Sequence, residues 1–331
     1  SVSPLRPFLL AALLLATPAA AQDQPNLTIY TYDAFAADWG PGPLLKSGFE
    51  ASCGCTVTFV AVNSSIAALR RVQLEGEATK ADIVLGLDTS FAAGARATGL
   101  FAVHGLDLSG LALPVDWADP DFVPFDYGWF AFVYNRETLP SPPASFEALA
   151  GVDGLKIIIE DPRADTPGLG LVLWVKAAYG EHAAEIWTAL APHIVTVTQS
   201  WSAAYSLFLA GEADMVLSYT TSPSYHLIAE GDRRFAAARF REGHYLQVEI
   251  AAVLASSPHP DLARKFLAYL VSPEGQATIP TTNWMFPVNP KVTLPQGFAT
   301  PLTPEATLLI DPTTVEANQR AWIGEMLDAI Q

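Results

Sequence analysis

Apolar positions along the chain switch between two periods. Leu27-Thr28-Ile29-Tyr30-Thr31-Tyr32 is apolar and β-branched, which predicts a strand. Trp39 to Pro43 (WGPGP) predicts a turn, and Pro43 to Ala51 a short amphipathic helix. Thr56 to Val62 (TVTFVAV) predicts a second strand. From Ile66 to Glu75 the spacing becomes helical, with Ile66, Leu69, Val72 and Gln73 on one stripe. Ala81 to Leu87 (ADIVLGL) predicts a third strand. This β-α-β-α-β order argues for a mainly parallel sheet with helices on both faces.

Val103 to Asp121 is irregular and rich in Asp, Pro and Leu. Val123 to Tyr127 and Trp129 to Tyr134 then read as two strands that carry the chain to another lobe. A second series follows: a strand at Leu155 to Glu160, a helix from Leu169 to Tyr179, a strand at Val195 to Thr198, a helix from Ala203 to Leu209, and a strand at Asp214 to Tyr219. Tyr245 to Ala255 is a long strand suited to a return crossing. Pro260 to Leu270 is a helix with Leu262, Phe266 and Leu270 facing inward, and a terminal helix spans Thr314 to Ile330. The expected fold class is α/β, in two lobes joined by more than one crossing, with the ligand cleft between them.

The 331 residues are too many for one compact core, which agrees with two lobes. Half the residues are hydrophobic and only 16% are charged, which excludes a disordered chain. The net charge of −16 would repel a polyanion, so nucleic acid is not an expected partner. It suits a small neutral or cationic ligand.

The first residues add an address. Arg6 supplies a positive start, Phe8 to Ala16 an apolar run too short for a bilayer, and Ala19-Ala20-Ala21 a cleavage signal. Residues 1–21 are therefore expected to be a signal peptide, and the remaining chain an exported, soluble protein of the periplasm. Both cysteines lie in Ala51-Ser52-Cys53-Gly54-Cys55. An oxidising compartment favours a Cys53–Cys55 disulfide. A metal site would need more ligands than two thiols, and no His is close in sequence.

Catalytic signatures are missing: no G-x-S-x-G elbow, no Walker A loop, no G-x-G-x-x-G fingerprint and no H-E-x-x-H. Gly168-Leu169-Gly170 lacks the third glycine and reads as packing at a helix start. A binding protein without cofactor is favoured over an enzyme. The aromatics lie where strands end: Tyr30, Tyr32 and Trp39; Trp201 and Tyr205; Tyr219 and Tyr225 around the apparent loop SYTTSPSY; and Trp284 between prolines. Any one of them can simply pack in the core. Four such clusters point to an aromatic cage, which attracts organic cations.

Several runs carry a resemblance. LTIYTYDAFAADWGPGP (27–43), KADIVLGLD (80–88), FVPFDYGWFAFVY (122–134), DPRADTPGLGL (161–171), LSYTTSPSY (217–225), EGHYLQVE (242–249) and PTTNW (280–284) are similar to the thiamine-binding periplasmic proteins of ABC transporters. The resemblance covers essentially the whole chain after the signal, and the two close cysteines fit it. It implies a bilobed periplasmic-binding-protein fold of the type II kind. Its first lobe would comprise residues 22–125 and 247–331, its second 126–246. It implies a monomer that captures thiamine, or its monophosphate or diphosphate, and delivers it to an inner-membrane ABC permease.

The same resemblance places Tyr32, Trp201, Tyr219, Tyr225 and Trp284 around the ligand. Thr220, Thr221 and Ser222 would offer hydroxyl and backbone contacts, Thr166 a contact at a helix start, and Ser64 and Ser65 another. Two positions depart from the family pattern: Ser64-Ser65 replaces an acidic-Gly pair, and Asp165 replaces Ser. Asp165 either faces the ligand and repels a phosphate, or caps the helix and points elsewhere. Two alternatives carry less support. A ferric-ion receptor of the same fold would use adjacent tyrosines, and there is no Tyr-Tyr pair. A secreted thiamine-degrading enzyme would need a free nucleophilic Cys.

Overall fold

The computed structural model describes residues 23–298 and 302–331. The expected signal peptide lies outside the described residues. β1 (Asn26–Tyr32), α1 (Asp33–Ala36), α2 (Gly42–Cys53), β2 (Thr56–Val62), α3 (Ser65–Glu75) and β3 (Ile83–Asp88) form the first unit. β1 pairs in parallel with both β2 and β3, as the alternation of periods predicts. Leu27 and Ile29 face one core, while Ile66, Leu69 and Val72 of α3 close another. Gln73 does not belong to that stripe: it is exposed, because the helix turns it past the buried edge. Tyr30 is also in the core and outside any cage, with its hydroxyl donated to Glu75.

α4 (Ala92–Ala97) and the short β4 (Phe101–Ala102) follow, then an irregular stretch up to Val123. The two strands expected next are one. β5 (Val123–Asn135) runs 13 residues without a break at Gly128. That glycine leaves room for Met285, whose Cε would lie 2.8 Å from an added Cβ. The second unit comprises α5 (Phe146–Ala150), β6 (Ile157–Glu160), α6 (Thr166–Tyr179), α7 (Ala183–Leu190), β7 (Ile194–Thr198), α8 (Trp201–Leu209) and β8 (Met215–Tyr219). α9 (Ser222–Glu230) begins inside the stretch 218–225 that reads as a loop; Pro223 sits in its first turn, where a missing N–H costs nothing. β9 (Phe235–Ala237), β10 (His244–Leu254), α10 (Pro260–Leu270), α11 (Pro273–Ala277), β11 (Phe286–Pro287), β12 (Thr307–Leu308) and α12 (Pro312–Ile330) complete the order.

The main strand order is β2-β1-β3-β10-β5-β8-β6-β7. β10 lies antiparallel between β3 and β5. Val123 to Trp129 of β5 pair with β10, or lie along it, whereas Phe130 to Tyr134 pair with β8. One strand thus serves both halves of a bilobed α/β molecule. α12 packs on α6 and α7 of one half and on α4 of the other. No described helix is long and apolar enough to cross a membrane.

Gly168 and Gly170 are packing glycines. An added Cβ at Gly168 would meet the backbone of Glu160 and Asp161, and one at Gly170 the Phe130 ring. Cys53 and Cys55 are bridged, with Cα atoms 5.1 Å apart, and Gly54 between them takes the left-handed conformation at φ 60° that ends α2. A loop this short gains only about 1.6 kcal/mol in the chain-entropy treatment. Reduction should therefore lower Tm by no more than about 6 °C, at roughly 2–4 °C per kcal/mol. Thiol labelling of unreduced, denatured protein should find no free thiol; two labelled cysteines would refute the bridge.

Candidate functional site

A cleft of about 540 Å³ lies between the halves. Its walls come from strand ends and helix starts. Of the residues expected around a ligand, Tyr32, Ser65, Asp165, Thr166, Trp201, Tyr219, Ser222, Tyr225 and Trp284 line it. Ser64, Thr220 and Thr221 do not; all three are buried beside it. Ser64 is the N-cap residue of α3. Thr221 acts at one remove, donating its Oγ1 hydrogen to the Trp284 carbonyl at 2.5 Å.

One wall is a stack. Trp201 begins α8 and Tyr205 lies one turn later, so their rings overlap at 5.1 Å and 23°. Trp201 Nε1 donates to Ser218 Oγ at 2.9 Å, and the Tyr205 hydroxyl bonds His226 Nε2 at 2.8 Å. The facing wall is Trp284, which meets Tyr225 edge-on at 5.4 Å and lies parallel to Phe298. Trp284 has φ 55°, the left-handed region, alone among described non-glycine residues. Such strain persists only where surroundings enforce it. The Thr221 bond and the flanking rings do so here.

Three helix starts converge on one carboxylate. Asp165 is 4% exposed and accepts from the backbone N–H of Ser65 at 3.2 Å, of Thr166 at 3.1 Å and of Trp201 at 2.7 Å. These are the first residues of α3, α6 and α8. Ser65 Oγ adds a fourth bond at 2.5 Å. Burial still pushes the Asp165 carboxyl up to about 6, against the pull of these donors. Because α3 packs on β1 and β3 while α8 packs on β6 and β8, the Ser65 bonds tie the two halves together. Ser202 Oγ, donating to Asp33 Oδ2 at 2.5 Å, makes a second tie.

The floor is acidic, which sequence reasoning missed. Glu249 of β10 lies opposite Asp88 of β3 and Asp126 of β5, so three carboxylates form a row across adjacent strands. Glu249 lines the cleft. Asn283 Nδ2 donates to Asp126 at 2.7 Å, to Glu249 at 3.1 Å and to the Tyr32 hydroxyl at 3.1 Å. Gln247 Nε2 donates to Asp88 at 3.1 Å, and the Tyr219 hydroxyl donates to Gln247 Oε1 at 2.6 Å. Burial pushes Asp88 up to about 7. Burial and then the neighbouring Asp126 push Glu249 well above the carboxylate range. Glu160, fully buried, is raised well above the carboxylate range by burial and then by the neighbouring Asp165, and both its oxygens lack a hydrogen-bond partner. Among the described residues, no Lys, Arg or His forms an ion pair with Asp33, Asp88, Asp126, Glu160, Asp165 or Glu249. A signal for the row was present: Asp126 and Glu249 each interrupt an apolar strand.

A bilobed α/β chain with an aromatic, acidic cleft has the form of a solute receptor. Residues 24–277 match the model of the bacterial extracellular solute-binding proteins, and the chain belongs to that family. It is 50% identical over 319 residues to the thiamine-binding periplasmic protein of Escherichia coli (strain K12), covering 96% of this chain and 97% of that one. A solved periplasmic thiamin binding protein superposes with a TM-score of 0.92 at 50% identity, covering 95% and 99% of the two chains. The iron-bound HitA protein from Pseudomonas aeruginosa shares the fold at a TM-score of 0.75 and 20% identity, with 92% and 99% covered. The family is one of binding proteins rather than enzymes.

Proposed function

We propose that this chain is a periplasmic receptor that captures thiamine in the cleft and delivers it to an inner-membrane ABC importer. The observation that carries the reading is the pairing of two aromatic walls with an acidic floor lacking any cationic partner among the described residues. Thiamine joins a flat aminopyrimidine to a permanently cationic thiazolium. Aromatic faces hold flat and cationic rings, at roughly 0.5–2 kcal/mol per cation contact. The relatives at about 50% identity that are named for thiamine support the same ligand. Trp201, Tyr205, Tyr225 and Trp284 would enclose the rings, and Tyr32, Tyr219, Ser65, Thr166 and Ser222 the polar edges. Residues 22–125 with 247–331 would form one lobe and 126–246 the other, acting as a monomer.

Thiamine should raise Tm. A ligand at a hundredfold excess over Kd stabilises the native state by about 2.7 kcal/mol, which corresponds to a rise of roughly 5 °C or more. No shift with millimolar thiamine, beside a shift with ferric ion, would overturn the reading.

A further inference from the structure

The Asp88–Glu249–Asp126 row has no stabilising role that explains it. Like charges opposite one another on adjacent strands repel. All three side chains are at least nine-tenths buried, and Asp126 Oδ1 has no hydrogen-bond partner. Asn283 divides one amide nitrogen between Glu249, Asp126 and Tyr32, and the Tyr32 hydroxyl is the other side-chain donor beside Glu249. The groups facing Glu249 from each neighbouring element are Tyr32 on β1, Asp88 on β3, Asp126 on β5, and Tyr219 on β8 through Gln247. None is cationic. Two buried carboxylates paired across strands and sharing one amide nitrogen cannot both stay ionised without a counter-charge, so they keep a proton between them.

We propose that Glu249 is the carboxylate that faces the cationic ring of the ligand, and that the Asp126–Glu249 pair gives up its shared proton when that cation enters. The exchange balances: one permanent positive charge enters the cleft, one proton leaves to the solvent, and no covalent bond of the ligand changes. Glu249 is then a specificity residue. It favours a fixed cation over an uncharged ring of the same shape, because only the cation replaces the proton. Affinity must also fall as pH falls, by up to about tenfold per pH unit once the pair holds its proton firmly.

The inference rests on thiamine as the ligand. Titration calorimetry with thiamine at pH 6.5, in phosphate and in Tris, counts the protons released from the difference in heats. Wild type should release a measurable fraction of one proton. Glu249→Gln, a neutral near-isostere, should release none and bind about tenfold or more weakly. Asp126→Asn, which leaves Asp88 as the one carboxylate opposite Glu249, should release less than wild type. Binding of thiamine with equal heats in both buffers would overturn the proton exchange while leaving the receptor reading intact. Wild-type affinity and release in Glu249→Gln would overturn the role of Glu249. No binding of thiamine to folded wild type would overturn the reading and this inference together.

Discussion

Replacing Asp165 with serine should move ligand preference toward thiamine monophosphate by about a hundredfold. The wild-type carboxylate already occupies the N–H groups at the starts of α3, α6 and α8. A phosphate arriving there would find its donors taken. It would gain about 0.3–1 kcal/mol from a helix dipole. Against that, a carboxylate about 4 Å away would repel it by about 4 kcal/mol at an effective dielectric of 20. Repulsion wins, so wild type should prefer free thiamine. Serine removes the charge and frees donors for the ester, while remaining a good cap for α6. The variant should also lose about 2–4 kcal/mol of stability, because hydrogen bonds to a buried charge are lost. Calorimetry of both proteins with thiamine and its monophosphate gives the ratio. An unchanged ratio would reduce Asp165 to a cap and a tie between the lobes.

Gly86→Ala should abolish tight binding and unfold the protein at markedly lower temperature. Gly86 has φ 108°, where an L side chain is strained, and its missing Cβ is where the Tyr32 ring lies. The backbone strain costs about 1–3 kcal/mol and the overpacking about 1–3 more. Tyr32 cannot move aside without loss, since its hydroxyl shares Asn283 with Asp126 and Glu249. A displaced ring would disturb both the wall and the acidic floor of the cleft. Denaturant unfolding and thiamine titration of the variant test this. Wild-type Kd together with wild-type stability would show that Tyr32 is not held by this contact.

The aromatic walls were legible in the sequence because Trp and Tyr at strand ends are conspicuous. Trp39 illustrates the limit of that reading: it reaches the cleft but is 58% exposed, so it borders the mouth more than it encloses a ligand. The strands were legible because their period is short and their bounds are sharp. Gly128 misled, because a glycine inside a strand looks like a break until its neighbour Met285 is seen. The run Ser218 to Tyr225 misled because its polar residues look like a loop, whereas Pro223 sits in the first turn of a helix that begins at Ser222. The acidic row was hidden for a different reason. Asp88, Glu249 and Asp126 are far apart in sequence, and only the register of β3, β10 and β5 aligns them. Asp165 was recognised as either a cap or a group facing the ligand. It does cap α6 and it does line the cleft, because three helices start around it.

The placement of β10 also governs the order in which the chain can be completed. β1, β2 and β3 are synthesised first, yet β3 keeps an open edge until β10 arrives from beyond residue 243. The first half of the molecule is therefore finished last. Pairing Asp88 with Glu249 closes a loop of well over a hundred residues, and such distant contacts make folding slow. The early strands can pair with one another, but the free edge of β3 is covered only after the strand that completes it has been made.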